Sequence, residues 1–190
     1  MPLIPSLSPE FRQRCEAIAT EQRSLLRVRS FEPLPADILA AKLGATLFTP
    51  DRVPNLEPEQ VALLLASDEW SAGIIRYNPL WIVYNPRHTP ARYESNLMHE
   101  IAHVLFNHKP VGFDPVTGLP KRKQNNEDEA TYLGGCLQIP KRGLLWATQR
   151  KMLLPQIAGH FGASEAMVQF RSNVTNVPVK LLIMGKSQKG

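Results

Sequence analysis

Cysteine is scarce in this chain: its 190 residues include two, Cys15 and Cys136, which lie far apart and in no paired motif. This scarcity excludes a disulfide framework and indicates the reducing cytoplasm as the compartment. No apolar run reaches the length of about 18 residues that a transmembrane helix needs. The first residues show no basic start followed by an apolar block, so we expect neither a secretory signal nor a membrane partner.

Acidic residues are fewer than basic ones, and the imbalance varies along the chain. The net charge is +5. Residues 31–70 hold two basic and seven acidic residues, a balance of −5, whereas residues 109–190 hold twelve basic and five acidic residues, a balance of +7. Net charge alone is a weak indicator of nucleic-acid binding. The basic rear half therefore predicts a surface for a regulatory protein, with DNA as the lesser alternative.

Hydrophobic periodicity and the positions of proline and glycine predict a mainly helical chain with a few strands. Pro9, Pro58 and Pro90 each open a predicted helix, because proline is typical of the first turn. Helices are predicted at 9–29, 36–43, 58–67, 89–107, 127–137 and, with breaks, 144–172; strands at 45–48, 73–77 and 80–84; and a loop at 109–124.

The sharpest motif is H-E-x-x-H, formed by His99, Glu100 and His103. Residues four apart on a helix point the same way, so the two histidines can bind one Zn²⁺ through neutral imidazoles. Bound zinc lowers the pKa of water to about 7, and Glu100 can take the proton as hydroxide attacks a carbonyl. The alternative is an amphipathic helix with two surface histidines.

A catalytic zinc needs a third protein ligand. His108 comes one residue before the third histidine of the H-E-x-x-H-x-x-G-x-x-H class, so we interpret it as a helix-end residue. Glu127 is the better candidate, because small residues such as Gly134 on its helix face would let that helix approach the histidines. Glu129 lies about 200° round the helix from Glu127 and could form a capping box with Asn126, but it stays open as the third ligand.

These residues resemble the ImmA/IrrE family of zinc metallopeptidases. The resemblance covers roughly residues 30 to 140, through ordered pieces at 34–45, 83–85, 91–108 and 127–140. It implies His99 and His103 as zinc ligands and Glu100 as the general base. It also implies a glutamate within 127–129 as the third ligand. Thr131 departs from the pattern, since the family usually has Asn or Asp there.

Resemblance and periodicity together predict an α+β, mainly helical fold. It would consist of a zincin-like metallopeptidase core with a small β-sheet, followed by a helix-turn-helix-like helical region. The predicted divisions are an N-terminal helix at 1–30, the zincin-like metallopeptidase domain at 31–143, and the helix-turn-helix-like C-terminal region with its basic tail at 144–190.

Two further features are candidate substrate contacts. Residues 80–84 are the candidate edge strand that would hold an extended peptide by main-chain pairing, and a buried hairpin strand is the alternative. Arg92 shares the helix face of His99 and His103. It would either orient a substrate or ligand, or form a surface salt bridge.

Residues 156–171 have the spacing of a helix-turn-helix, with Gly162 at the turn and Ser164 as the cap of the second helix. A DNA-reading second helix would bring Gln169 and Arg171 to a groove. Because it offers so few strong contacts, we favour a helical module that covers the core or docks a protein partner.

The expected function is that of a cytosolic zinc endopeptidase with a narrow protein substrate. The resemblance implies a transcriptional repressor of the helix-turn-helix type, or a partner regulator, in stress, mobile-element or toxin–antitoxin control. The alternative is a non-catalytic, zinc-stabilised regulator that binds DNA or a repressor protein. The intact Glu100 favours hydrolysis, since a scaffold would not need it.

Overall fold

The structure, a computed structural model, describes residues 7–180. This part of the chain forms eight α-helices, one short 3₁₀ helix at Pro50–Arg52, and two small sheets. The helices are α1 (Pro9–Leu25), α2 (Ala36–Lys42), α3 (Pro58–Ala66), α4 (Pro90–Leu105), α5 (Gln124–Gln138), α6 (Lys141–Gln149), α7 (Leu154–Phe161) and α8 (Glu165–Thr175). The strands are β1 (Thr46–Phe48), β2 (Ala72–Tyr77), β3 (Leu80–Tyr84), β4 (Gly112–Phe113) and β5 (Pro120–Lys121). The mainly helical α+β fold is confirmed.

Helix α4 carries the H-E-x-x-H motif and is anchored by its cap and its apolar face. The Thr89 hydroxyl accepts a hydrogen bond from the backbone N–H of Arg92, and Pro90 occupies the first turn. Leu97 and Ile101 are fully buried. Since this face packs against α2, α5 and the sheet, the orientation of the motif's polar side is set by core packing.

Helix α5 packs closely against α4 because a glycine leaves room for the α4 backbone. A Cβ atom added to Gly134 would lie 3.2 Å from backbone atoms of Met98 and His99. The predicted approach of the small-residue face is therefore present. The helix begins at Gln124 rather than at 127. Glu127 consequently lies in the first turn, where the helix dipole stabilises a carboxylate.

Strand β3 is the centre of a three-stranded sheet with the order β1-β3-β2. It pairs in parallel with β1 and antiparallel with β2. The prediction of 80–84 as an edge strand is therefore wrong, and the buried hairpin alternative holds. The parallel partner comes from a distant part of the sequence, so local pattern could not reveal it. Among residues 7–180, no further strand pairs with the free edge of β2.

The segment predicted as a loop at 109–124 contains a small antiparallel hairpin formed by β4 and β5. Asp114 organises its turn: hydrogen bonds from Thr117, Lys121 and Val116 hold the pKa of this carboxyl at about 2. The hairpin contacts β2 and leads directly into Arg122, which reaches the polar side of α4.

Helices α7 and α8 form the helix pair predicted within residues 156–171. Gly162 adopts the left-handed conformation between them, with φ of 61°. The Ser164 hydroxyl accepts a hydrogen bond from the backbone N–H of Met167 at 3.1 Å, as a helix cap does.

Arg171 is not on the surface of this helix pair. Its side chain is fully buried, where it forms an ion pair with Glu16 of α1 and donates to the backbone oxygen of Ile139 at 2.8 Å. A DNA-reading role for Arg171 is therefore wrong, because a buried guanidinium cannot reach a phosphate or a base.

The larger of two apolar clusters runs through the described chain, from Cys15 in α1 to Val177 beyond α8, and the smaller one contains Leu64, Trp70 and Val83. The larger cluster joins α1, the α4–α5 pair and the C-terminal helices, while the domain divisions at 30 and 143 stay predictions. The basic tail at 185–190 lies outside the described residues. No helix within residues 7–180 is long and apolar enough to cross a bilayer.

Candidate metal centre

Two imidazoles meet on the polar side of α4. The Nε2 atoms of His99 and His103 are 3.0 Å apart, as expected for residues one turn apart that point the same way. The side chain of His103 is fully buried, whereas that of His99 is 26% exposed. Burial lowers the pKa of His103 and so favours the neutral ring, the form that binds metals.

Glu127 brings a carboxylate to the same point from α5. Its oxygens lie 3.0 Å from His99 Nε2 and 3.4 Å from His103 Nε2. Burial would raise the pKa of Glu127, but its contacts with the imidazoles of His103 and His99 outweigh burial and hold the pKa well below its usual range. Ligand atoms around a tetrahedral zinc lie about 3.3 Å apart. The three predicted ligands are thus close to the spacing that zinc requires.

Glu129 points to a different partner. Its Oε2 atom is 3.1 Å from His108 Nε2, and His108 Nδ1 is in turn 3.0 Å from His103 Nδ1. The capping box with Asn126 is wrong, because α5 is preceded by Lys123 at its N-cap and has no side-chain cap. Of the two glutamates, Glu127 therefore faces the paired Nε2 atoms and Glu129 approaches from behind His103.

Glu100 lies beside the two histidines. One carboxylate oxygen and one nitrogen of each ring lie within 4.8 Å of one another. The Glu100 side chain is 6% exposed, and Arg122 Nη2 from the hairpin segment lies 3.4 Å from its Oε2 atom. The same Arg122 nitrogen lies 3.5 Å from the Tyr77 hydroxyl. The carboxylate is therefore held beside a buried cation.

A cavity of about 360 Å³ opens onto these side chains. Its wall includes His99, Glu100 and Glu127, with Ser71 and Ala72 contributed from the start of β2. The free edge of β2 and the candidate metal ligands therefore border one space.

Arg92 does not reach this centre. Its side chain is exposed, and Nη2 lies 3.4 Å from the backbone oxygen of Asp68. Asn96, one turn further along α4, contacts His88 Nδ1 at 2.9 Å. A direct contact between Arg92 and the predicted ligands is thus not present.

The sequence profile of the IrrE N-terminal-like domain, Peptidase_M78, matches residues 53–173. The chain belongs to this family. The match runs from before α3 into α8, so it includes the H-E-x-x-H helix, the hairpin and Glu127. No curated protein matches the chain.

A solved structure with a similar fold is a Mycobacterium tuberculosis transcriptional regulator. Its TM-score is 0.53 at 16% sequence identity, and the match covers 86% of this chain and 46% of that one. At this identity the likeness shows only that the two chains share a fold. The chain spans less than half the length of that regulator.

The donor set of this Peptidase_M78 domain fits zinc, with two imidazole nitrogens and one carboxylate. The ring nitrogens that face away from the common point also meet polar groups. Thr131 Oγ1 lies 3.5 Å from His99 Nδ1, and His108 approaches His103 Nδ1 at 3.0 Å. Such outer partners orient metal-binding imidazoles, so both Nε2 atoms are directed at one point.

Sequence reasoning gave no role at the centre to His108, which it interpreted as a helix-end residue, or to Arg122 and Tyr77. Glu129 stayed open as the third ligand, and the structure places it against His108 instead. Arg122 and Tyr77 carry no motif, and a loop prediction gave no reason to place Arg122 beside Glu100. Thr131 could have been found from the sequence. It is a polar residue on the α5 face that turns toward the histidines, at a position where the family pattern has Asn or Asp.

Proposed function

We propose that the chain is a zinc-dependent endopeptidase of the ImmA/IrrE type. The observation that carries the proposal is the convergence of His99, His103 and Glu127 within 3.4 Å of one another, beside the cavity that His99, Glu127 and Glu100 line. When bound, zinc supplies a Lewis acid that polarises a carbonyl and lowers the pKa of water. Two histidines and a glutamate are one of the ligand sets of catalytic zinc, which keeps a position open.

Glu100 would serve as the general base. It would take a proton from the attacking water and later deliver it to the leaving amine nitrogen. Arg122, 3.4 Å from the Glu100 carboxylate, would hold that carboxylate in one orientation. Because the Glu100 side chain is 6% exposed, the proton would be exchanged inside the cavity rather than with bulk solvent.

The free edge of β2 would align the substrate. An extended peptide can add to an exposed strand by main-chain hydrogen bonds. Ser71 and Ala72 at the start of β2 line the same cavity as His99 and Glu100. A peptide paired with this edge would therefore bring a backbone carbonyl near the metal ligands.

The substrate class that we propose is a helix-turn-helix transcriptional repressor or a partner regulator. The setting would be stress, mobile-element or toxin–antitoxin control in the cytoplasm. Family membership and the order of the motifs support this, and a protein of similar fold bears the name of a transcriptional regulator. DNA is not part of the proposal, because the guanidinium of Arg171 is buried.

The test is Glu100→Gln, which removes the base and keeps the shape of the side chain. Purified protein is incubated with candidate helix-turn-helix repressors, starting with any that a neighbouring gene encodes, and cleavage is followed by mass spectrometry. We expect the variant to bind one zinc per chain and to lose cleavage by at least about 100-fold, the lower end of a general base's contribution. A matched control is Glu59→Gln, an exposed residue in the first turn of α3.

A zinc chelator should abolish cleavage by the wild-type chain, and added zinc should restore it. Full cleavage by metal-free protein would overturn the proposal. So would a Glu100→Gln variant as active as Glu59→Gln.

A second candidate is a non-catalytic regulator that binds a repressor protein. The observation that favours it is the Glu100–Arg122 ion pair, in which the two side chains are 6% and 3% exposed. Glu100 would then stabilise the fold rather than act on water. This candidate predicts that Glu100→Gln is less stable but, at temperatures where it stays folded, retains full activity in a repressor-controlled reporter assay, whereas the endopeptidase loses it.

A further inference from the structure

Two side chains outside the candidate ligand set form a hydrogen-bonded chain that ends on His103. Glu129 Oε2 lies 3.1 Å from His108 Nε2, and His108 Nδ1 lies 3.0 Å from His103 Nδ1. Both distances are in the normal range for hydrogen bonds. The far nitrogen of His103 faces the predicted metal ligands, 3.0 Å from His99 Nε2 and 3.4 Å from a Glu127 oxygen.

The middle residue of the chain is held in place by its backbone. Asn107, with φ of 54°, turns the chain at the end of α4, and the backbone N–H of His108 donates to His103 O at 2.9 Å. The Tyr77 hydroxyl from β2 donates to His108 O, also at 2.9 Å. The His108 side chain is 9% exposed and that of His103 is fully buried. Water therefore competes little for the hydrogen bonds between the rings.

The carboxylate of Glu129 determines which ring nitrogens of His108 and His103 donate and which accept in this chain of hydrogen bonds. An ionised carboxylate only accepts hydrogen bonds, so His108 Nε2 carries the proton that Glu129 accepts. In neutral His108 the other nitrogen, Nδ1, is then an acceptor. His103 Nδ1 must donate to it, which leaves His103 Nε2 with a free lone pair. That is the nitrogen directed at His99 and Glu127.

We infer that Glu129 and His108 are positioning residues that hold His103 as the Nδ1–H tautomer, with Nε2 ready to bind zinc. The inference rests on the proposed zinc site. The two histidines differ in this respect: among residues 7–180, the outer nitrogen of His99 meets only the more distant Thr131 hydroxyl, at 3.5 Å. His103 is the ligand whose orientation is set before a metal arrives.

Zinc affinity is the first test, measured by competition with a chromophoric chelator. Loss of such an outer partner typically weakens metal binding about 10- to 100-fold. We expect this loss in Glu129→Ala and in His108→Ala. Glu129→Gln keeps an oxygen that accepts from His108, so its dissociation constant should stay close to the wild-type value. His160→Ala is a matched histidine control, since that ring contacts Phe31 O rather than the centre.

The second test reads the tautomer directly in metal-free protein. Long-range ¹H–¹⁵N spectra of the imidazoles should show His103 as the Nδ1–H form in the wild-type chain and in Glu129→Gln. His103 should become a mixture of tautomers in Glu129→Ala. Glu129 is 32% exposed, so this variant tests the inference even if His108→Ala does not fold.

The outcomes separate the two proposals. An unchanged His103 tautomer and unchanged zinc affinity in Glu129→Ala would overturn the positioning role. A wild-type chain that binds no zinc would reject the proposed function, while the tautomer spectra would still decide whether Glu129 and His108 position His103.

Discussion

The two ends of helix α5 use charged side chains in opposite ways. At the N-terminal end, Glu127 and Glu129 are 35% and 32% exposed and contact histidines of the candidate metal centre. At the C-terminal end, Arg23 of α1 and Arg171 of α8 are 2% and 0% exposed and point to backbone oxygens. The carboxylates at the N-terminal end contact the imidazoles of the candidate metal centre, whereas the guanidinium groups at the C-terminal end stabilise the fold.

The C-terminal end shows why buried arginines are needed there. The last carbonyl groups of a helix have no partner within the helix. Arg23 Nη2 donates to Leu137 O and Gln138 O at 2.9 and 3.1 Å, and Arg171 Nε donates to Ile139 O. The two guanidinium groups thereby tie the first and last helices of the described chain to α5.

The contrast between the two ends of α5 shows how to interpret the positive charge of residues 109–190. Arg171 adds to its positive charge, yet its guanidinium is occupied by Glu16 and by a backbone carbonyl. A count of charges cannot separate such residues from those on a surface. The acidic pair at the other end of α5 contacts imidazoles rather than backbone carbonyls.

The largest expected effect is at the C-terminal end. Arg171→Met would leave Glu16 without its cation and the Ile139 carbonyl without its donor. Removing one partner of a buried pair costs about 3–5 kcal/mol in the free energy of unfolding. For a chain of this size the melting temperature should fall by roughly 10 °C. Urea denaturation of the metal-free protein measures the free energy of unfolding, and thermal denaturation measures the melting temperature.

The control for this variant is Arg142→Met, an exposed arginine on α6. Surface substitutions of this kind change stability by about 0.5 kcal/mol or less. If the two variants lost equally little stability, the buried arginine would not be structural and the contrast between the ends of α5 would fail.

The next effect concerns the thiols packed near the C-terminal end. Burial raises the pKa of Cys15 to about 12, and it raises the pKa of Cys136 on α5 well above its usual value. Below the raised pKa the thiol stays protonated. At pH 8 the thiolate of Cys15 should therefore be about a thousandfold rarer than that of an ordinary cysteine.

A colourimetric disulfide reagent measures this directly. Both thiols should react in urea and stay unreacted in the native chain at pH 8. Rapid reaction of Cys136 in the native chain would show that this half of α5 is open to solvent, contrary to its full burial here.

The smallest expected effect is at the N-terminal end and depends on metal. Zinc at about 100 times its dissociation constant should raise the free energy of unfolding by about 2.7 kcal/mol, because it binds only the folded chain. Glu127→Gln should abolish most of this gain. It should also lower the stability of the metal-free protein at neutral pH, because the ionised carboxylate interacts favourably with the two imidazoles. Thermal denaturation with and without zinc measures both, and Asp128→Asn on the same helical turn is the control. A gain that persists in Glu127→Gln would remove Glu127 from the site.

Much of the candidate site could be predicted from local sequence. The H-E-x-x-H spacing alone places two rings on one side of a helix. The small residues after Glu127 predicted the close contact of α4 and α5, which the fit of Gly134 against the α4 backbone shows. Both are properties of a single helix and its periodicity, so no distant contact had to be known.

The remaining parts could not be predicted because they depend on residues that are distant in sequence. The free edge belongs to β2 rather than to β3, because β1 pairs with the other side of β3. Arg122 reaches Glu100 only because a small hairpin folds back against β2. Glu129 reaches His108 only because Asn107 reverses the chain after α4.

By itself, the sequence determined the helical character of the chain, the pair of histidines with their glutamate, and the face on which a third ligand would lie. These follow from side-chain spacing along one helix, which is a local property. Only the tertiary structure decided which glutamate faces the histidines and which buried arginines complete α5. The reason is that direction and burial are set by the packing of α1, α4, α5 and α8 into one core. Spacing along the chain does not contain that information.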